Sequence, residues 1–169
     1  MAEKKALMLA SVASMIDQFN IPNIRILQSL GYRVDVAADF TAPGTITAER
    51  AEELRKRLKE SGVSVKNIGI PRSLHPKKLF RAYHKVKRLV MTEHYDLIHC
   101  HSPIGGVVCR MAAIRERRRG TRVIYTAHGF HFYKGAPLKN WLLYYPVEKL
   151  FSRWTDVLIT INREDYKRA

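Results

Sequence analysis

The chain has 169 residues, 46% of them hydrophobic, which suits one domain with a packed core and argues against a disordered segment. Lysine and arginine number 30 against 15 acidic residues, and the resulting charge of +15 points to anionic partners: a phosphorylated ligand, an anionic lipid surface or nucleic acid. Cys100 and Cys109 form no disulfide framework, no run approaches the roughly 18 apolar residues of a membrane span, and the first residues lack a signal-peptide layout. These features predict a cytoplasmic protein with buried free thiols.

Taken in chain order, Ala6 to Val12 is an apolar run without helical period and predicts a buried strand. A polar loop over Ala13 to Phe19 is expected next, then a helix capped by Asn20, with Pro22 in its first turn and Gly31 at its end. Val34 to Ala38 predicts the second strand. Thr47 caps a charged helix that Gly62 stops, with Glu52/Lys56 and Glu53/Arg57 at pairing distance. Val63 to Ile70 reads as a weaker strand. Pro76 opens a helix with Leu79, Tyr83, Val86 and Val90 on one stripe. Leu97 to Cys100 and Val123 to Ala127 are strands around a helix from Ile104 to about Arg117. Leu138 to Arg153 is an aromatic-rich helix with Pro146 as an expected kink, Val157 to Ile161 is a sixth strand, and Asn162 begins a further helix.

This alternation predicts an α/β fold: a Rossmann-like three-layer sandwich around a mostly parallel sheet. Such sheets bind ligands beyond the carboxyl ends of their strands. Three strand-end loops therefore matter: Ser11 to Asn20, His101 to Gly106, and His128 to Pro137. Gly105 and Gly106 stand at a helix start, where backbone N–H groups attract anions, although a plain glycine-assisted turn explains the pair as well. Neither G-x-G-x-x-G nor G-x-x-x-x-G-K-[ST] occurs, which removes the main support for a dinucleotide or ATP site. His99, His101, His128 and His131 have no carboxylate at ligand spacing, so they read as hydrogen-bonding groups and not as metal ligands. His101 and His128, at strand ends, are the functional candidates; His99 and His131 read as structural or surface residues. The helix from Pro76 carries Lys77, Lys78, Arg81, Lys85 and Arg88 without acidic partners, a face suited to an anionic membrane surface. No nucleic-acid-reading motif accompanies it.

Three segments together resemble a known family: Tyr95-Asp-Leu-Ile-His-Cys-His-Ser-Pro-Ile-Gly-Gly, Thr126-Ala-His-Gly-Phe-His-Phe-Tyr, and Thr155-Asp-Val-Leu-Ile-Thr-Ile-Asn-Arg-Glu-Asp-Tyr. They are similar to the N-terminal half of family 4 glycosyltransferases, of the bacterial capsule and exopolysaccharide type. The opening Ala10-Ser-Val-Ala-Ser, with Phe19, Ile21 and Pro22, fits the same group. The resemblance implies one half of a GT-B architecture. Residues 1–161 would form the acceptor-side domain, and residues 162–169 would begin the link to a donor-binding domain that this chain lacks. It further implies a retaining enzyme that moves a sugar from a nucleotide-sugar to a lipid-pyrophosphate-linked or glycan acceptor. No metal or cofactor is implied, the nucleotide-sugar being a substrate. By the same resemblance His128 is the expected catalytic residue near the donor sugar and its leaving phosphate, and Gly129 allows close approach. Ser11, Ser14, His101, Gly105 and Gly106 are expected donor- or acceptor-binding positions. The family often has Gly-Gly where this chain has Ser11 to Ser14. The fragment alone is expected to be inactive. A non-catalytic Rossmann-like module docking on an anionic membrane or a partner stands as the alternative.

Overall fold

The apolar runs form six strands: β1 (Lys4–Val12), β2 (Tyr32–Asp39), β3 (Ser64–Asn67), β4 (Leu97–His101), β5 (Arg122–Ala127) and β6 (Val157–Thr160). The computed structural model describes residues 3–73 and 75–169. All five strand pairings are parallel, and the order across the sheet is β3-β2-β1-β4-β5-β6. β1 is central, and Ala6 to Ala10 are completely buried, as the unbroken apolar run requires of a strand covered on both faces.

The helices divide between the two faces. Leu7, Leu9, Ile98, Cys100, Val123 and Tyr125 face one core, closed by α4 (Pro76–Glu93) and α5 (Pro103–Arg117). Met8, Ala10, Val34, Val36 and Ala38 face the other, closed by α2 (Ile21–Ser29) and α3 (Ala48–Glu60). The strand order reverses direction beside β1: the chain moves outward to β3, then α4 carries it back so that β4 lies on the other flank of β1. A reversal of this kind opens a crevice beyond the carboxyl ends of β1 and β4. The sheet continues through β5, then α6 (Leu138–Phe151), β6 and α7 (Arg163–Arg168).

The expected loop over Ala13 to Phe19 is instead helical. Here α1 (Ala13–Met15), a π-helical turn (Ile16–Asn20) and α2 follow one another without a break. Pro22 explains the wider turn, because a proline inside a regular helix loses a hydrogen bond and clashes with the carbonyl four residues back. Asn20 is accordingly not an N-cap. It is buried, and its Nδ2 donates to the Met15 carbonyl at 2.9 Å inside the turn. Asp17, on the same turn, accepts from Arg50 at 2.9 Å and Arg57 at 2.8 Å, so Arg57 ties α3 to the turn and does not pair with Glu53. Two smaller differences concern β3, which spans only Ser64–Asn67, and α6, which runs on through Pro146. Thr47 and Asn162 cap their helices as expected, accepting from Arg50 N at 3.2 Å and Asp165 N at 2.8 Å.

α5 lies close on the sheet because Gly106 has no side chain. A Cβ there would stand 2.6 Å from a ring carbon of Tyr125. Buried Arg110 stacks on the same ring, its guanidinium 4.1 Å from the centroid, and donates to Glu148 at 2.9 Å, while the Tyr125 hydroxyl donates to Glu148 at 3.0 Å. Gly106→Ala is expected to lower stability by about 1–3 kcal/mol through overpacking. Chemical denaturation checks this, and an unchanged midpoint would show that α5 has room to shift.

Candidate active site

The crevice predicted by the strand order is a cleft of about 350 Å³, lined by residues of all three strand-end loops, among them Ser11, Ser14, Ser102, Ile104 and His128. At its edge β1 loses register with β2 between Leu9 and Val12. An irregularity at a strand end re-aims side chains. Ser11 is thereby turned against the start of α5: its N–H donates to Ser102 Oγ at 3.4 Å, and its own buried hydroxyl has no partner among the described residues. A Cβ on Gly105 would stand 2.9 Å from that hydroxyl oxygen, so Gly105 keeps the contact open. Ser102 precedes α5 with φ of 68°, an uncommon value for a residue with a side chain, at the point where the backbone leaves the sheet. Ser14 is buried, and its N–H donates to the Pro43 carbonyl at 2.8 Å.

The histidines fall into distinct places. His101 is 1% exposed; its Nδ1 lies 3.1 Å from Nε2 of His128, and its Nε2 lies 3.1 Å from the Met8 sulfur. His128 follows β5 directly, is half-buried in the cleft wall, and packs its ring 5.2 Å from that of Phe19 on the π-helical turn. Gly129 has φ of 108°, which only glycine adopts readily, and no atom lies within 4 Å of where a Cβ would stand. His99 is buried one pleat below His101, bonded to Thr126 Oγ1 at 2.8 Å and outside the cleft lining. His131 is exposed, stacks on Tyr144 at 4.4 Å and lines the cleft. Burial pushes His99 down to about 4 and His101 down to about 2, the neighbouring histidines adding to both; burial also lowers His128. All three rings are therefore neutral near pH 7.

Ser11, Ser14, His128 and the start of α5 thus converge on one cleft, with His101 immediately behind His128. Gly106 stands apart, turned toward Tyr125 in the core. Lys77, Lys78, Arg81, Lys85 and Arg88 also stand apart on α4, exposed and in no ion pair among the described residues. Lys78, Arg81 and Lys85 line a neighbouring depression of about 320 Å³, which Arg72 joins to the cleft by lining both. No described helix is long and apolar enough to cross a membrane.

Sequence reasoning missed Arg72, Met8 and Asp165. Asp165 is buried at the start of α7 and accepts from the Phe130 N–H at 3.3 Å, which holds the loop carrying His128 and Gly129. Its signal was its place three residues after a capping asparagine, within the third of the family-like segments. A larger hollow, about 440 Å³, lies beside α6 and is lined by Arg110, Tyr125 and Glu148. Those polar groups are committed to one another, and of the three strand-end loops the hollow meets only the one after β5, whereas the β1–β4 cleft gathers residues of all three and is the better candidate.

Comparison with known proteins gives a consistent picture. A family profile described as "Glycosyl transferase 4-like domain" matches residues 23–168. The chain is 44% identical over 166 residues to EpsD of Bacillus subtilis (strain 168), a protein named as a glycosyltransferase; the match covers 98% of this chain and 40% of EpsD. The chain therefore spans about two fifths of that relative's length. Among solved structures, MurG of Acinetobacter baumannii superposes with a TM-score of 0.62 at 18% identity, covering 95% of this chain and 42% of MurG. UDP-GlcNAc 2-epimerase from Neisseria meningitidis superposes with a TM-score of 0.61 at 13% identity, covering 96% of this chain and 41% of the epimerase. At such identities these two show a shared fold.

The histidine burial has a consequence for stability. A histidine whose folded pKa is depressed resists protonation in the fold but not in the unfolded chain. Its contribution is complete above about pH 6.5 and is lost as pH falls, at roughly 1.4 kcal/mol per pH unit for each such group. Stability is expected to drop between about pH 6.5 and pH 5, and His101→Gln is expected to flatten that slope. Denaturation midpoints across this range check it; a slope unchanged by the substitution would contradict the burial assigned to His101.

Proposed function

The chain belongs to the glycosyl transferase 4-like family, and on that premise we propose that it is the acceptor-side domain of a retaining glycosyltransferase for surface polysaccharide assembly. The observation that carries this reading is the cleft at the carboxyl ends of β1, β4 and β5, with half-buried His128 in its wall. A nucleotide-sugar supplies the donor, and a lipid-pyrophosphate-linked or glycan hydroxyl is the acceptor. The anomeric carbon leaves the diphosphate and bonds to the acceptor oxygen, while the hydroxyl proton leaves with the diphosphate. Chemistry of this kind needs positioning and stabilisation of separating charge more than it needs a covalent catalyst. Ser11, the start of α5 and Arg72 offer an uncommitted hydroxyl, backbone N–H groups and a cation around the cleft. The match covers 40% of EpsD, and in this proposal the donor-binding half belongs to the rest of such a longer polypeptide, so the 169 residues by themselves are expected to be inactive.

The basic face of α4 supports a second element of the reading: peripheral attachment to an anionic membrane, on the cytoplasmic side in this proposal. Its cations lack acidic partners among the described residues, Phe80 is 65% exposed beside them, and Arg72 links the face to the cleft. A lipid-linked acceptor would then reach the cleft without leaving the surface. A purely membrane-docking module without catalysis would use the same face.

Two experiments test the reading. In the full-length protein, His128→Ala is expected to reduce sugar transfer by roughly 100-fold or more; unchanged turnover would sink the assignment. Combined Lys77→Glu, Lys78→Glu, Arg81→Glu and Lys85→Glu is expected to weaken sedimentation with anionic vesicles by at least about a thousandfold, from the lost attraction of four basic residues at about 1 kcal/mol each. Transfer to a soluble acceptor should persist in that variant. Vesicle binding that survives the reversal would remove the membrane element, and vesicle binding without any transfer by the full-length protein would favour the non-catalytic module.

A further inference from the structure

Met8 stands on β1 directly beside His99 of β4, and its sulfur lies 3.1 Å from Nε2 of His101. A thioether sulfur bears no hydrogen and can only accept. The contact is therefore favourable as a hydrogen bond only when the proton of His101 is on Nε2. His101 has a single ring proton to place, because burial keeps it neutral. Its Nδ1 then holds a lone pair, 3.1 Å from Nε2 of His128. Two lone pairs cannot face each other at that distance, so Nε2 of His128 carries the proton and donates. The lone pair of His128 is left on Nδ1, which has no partner among the described residues.

We propose that Met8 and His101 are positioning residues that fix the tautomer of His128, so that its Nδ1 presents an acceptor to a ligand hydroxyl. This rests on the glycosyltransferase reading for the identity of that hydroxyl, a hydroxyl of the transferred sugar or of the acceptor. It also narrows the reading. A neutral ring offering a lone pair repels an ionised phosphate oxygen, which has only lone pairs of its own. His128 therefore contacts the sugar side of the substrates, and the diphosphate is left to Ser11, the start of α5, Arg72 and the donor-binding half. Phe19 against the His128 ring and Asp165 holding the Phe130 N–H keep the ring and its loop in register with His101.

The direct test is long-range proton–nitrogen NMR on the uniformly ¹⁵N-labelled 169-residue chain at about pH 7, which distinguishes protonated from lone-pair ring nitrogens. His101 and His128 are both expected as the Nε2–H tautomer. The Nδ1–H form of either ring would overturn the proposal, and this arm needs no variant. Met8→Leu, which nearly conserves volume, removes the sulfur acceptor and is expected to give both rings a mixed tautomer population. Unchanged populations in a folded Met8→Leu protein would also overturn it. The outcome is separable from the functional reading. Loss of transfer in full-length His128→Ala together with the Nδ1–H form would reject the relay and keep the transferase. Intact transfer together with the Nε2–H form would keep the tautomer relay and remove His128 from the transfer reaction.

Discussion

The insertion of β4 between β1 and β5 is the constraint on which the rest depends. It reverses the strand order at the centre of the sheet and so opens the crevice at the carboxyl ends. It places His101 with Met8 on one side and His128 on the other, so that three residues distant in sequence meet across adjacent strands. It also requires α5 to start at the cleft and lie flat on the sheet, which Gly105 and Gly106 allow in different ways. Gly105 admits the Ser11 hydroxyl at the cleft, and Gly106 admits the Tyr125 ring in the core. One topological choice therefore accounts for the cleft, its polar lining and the packing beneath it.

Burial decides the chemistry of the histidines more than their identity does. A cluster of three rings at a strand edge suggests metal binding or proton transfer when seen as letters. In the fold two of the rings are almost fully desolvated, and the third is half-buried against them. Desolvation favours the neutral form of each, and neutral imidazoles facing one another must alternate donor and acceptor. The cleft's own cation is Arg72, exposed at the rim, where it joins the cleft to the separate basic depression on α4. The cleft thus has a neutral wall and a single cation at its rim, a division consistent with the proposed nucleotide-sugar substrate.

Much of this was legible in the sequence, for identifiable reasons. Parallel strands covered on both faces leave unbroken apolar runs, so β1, β4 and β5 stood out, and Thr47 and Asn162 marked their helix starts by side-chain chemistry alone. The strand-end loops carrying Ser11, His101 and His128 followed from the alternation of elements. The π-helical turn at Ile16–Asn20 did not: Asn20 before Pro22 is the pattern of a capped helix start, whereas the backbone runs helically through it and Asp17 on the turn is held by Arg50 and Arg57 from α3, contacts that spacing does not encode. Met8 was invisible because a methionine in an apolar strand is ordinary core, and its meaning comes from a neighbour 93 residues away. Arg72 and Asp165 were missed because their roles depend on where loops close, which spacing does not encode.

The central claim is that substrates meet at the β1–β4 crevice against His128. The measurement that addresses it most directly is a crystal structure of the full-length polypeptide with a nucleotide-sugar and an acceptor analogue bound. A sugar hydroxyl is expected within hydrogen-bonding distance of Nδ1 of His128, with the diphosphate off that ring. A ligand seated in the hollow beside α6, or a phosphate oxygen on His128, would contradict it.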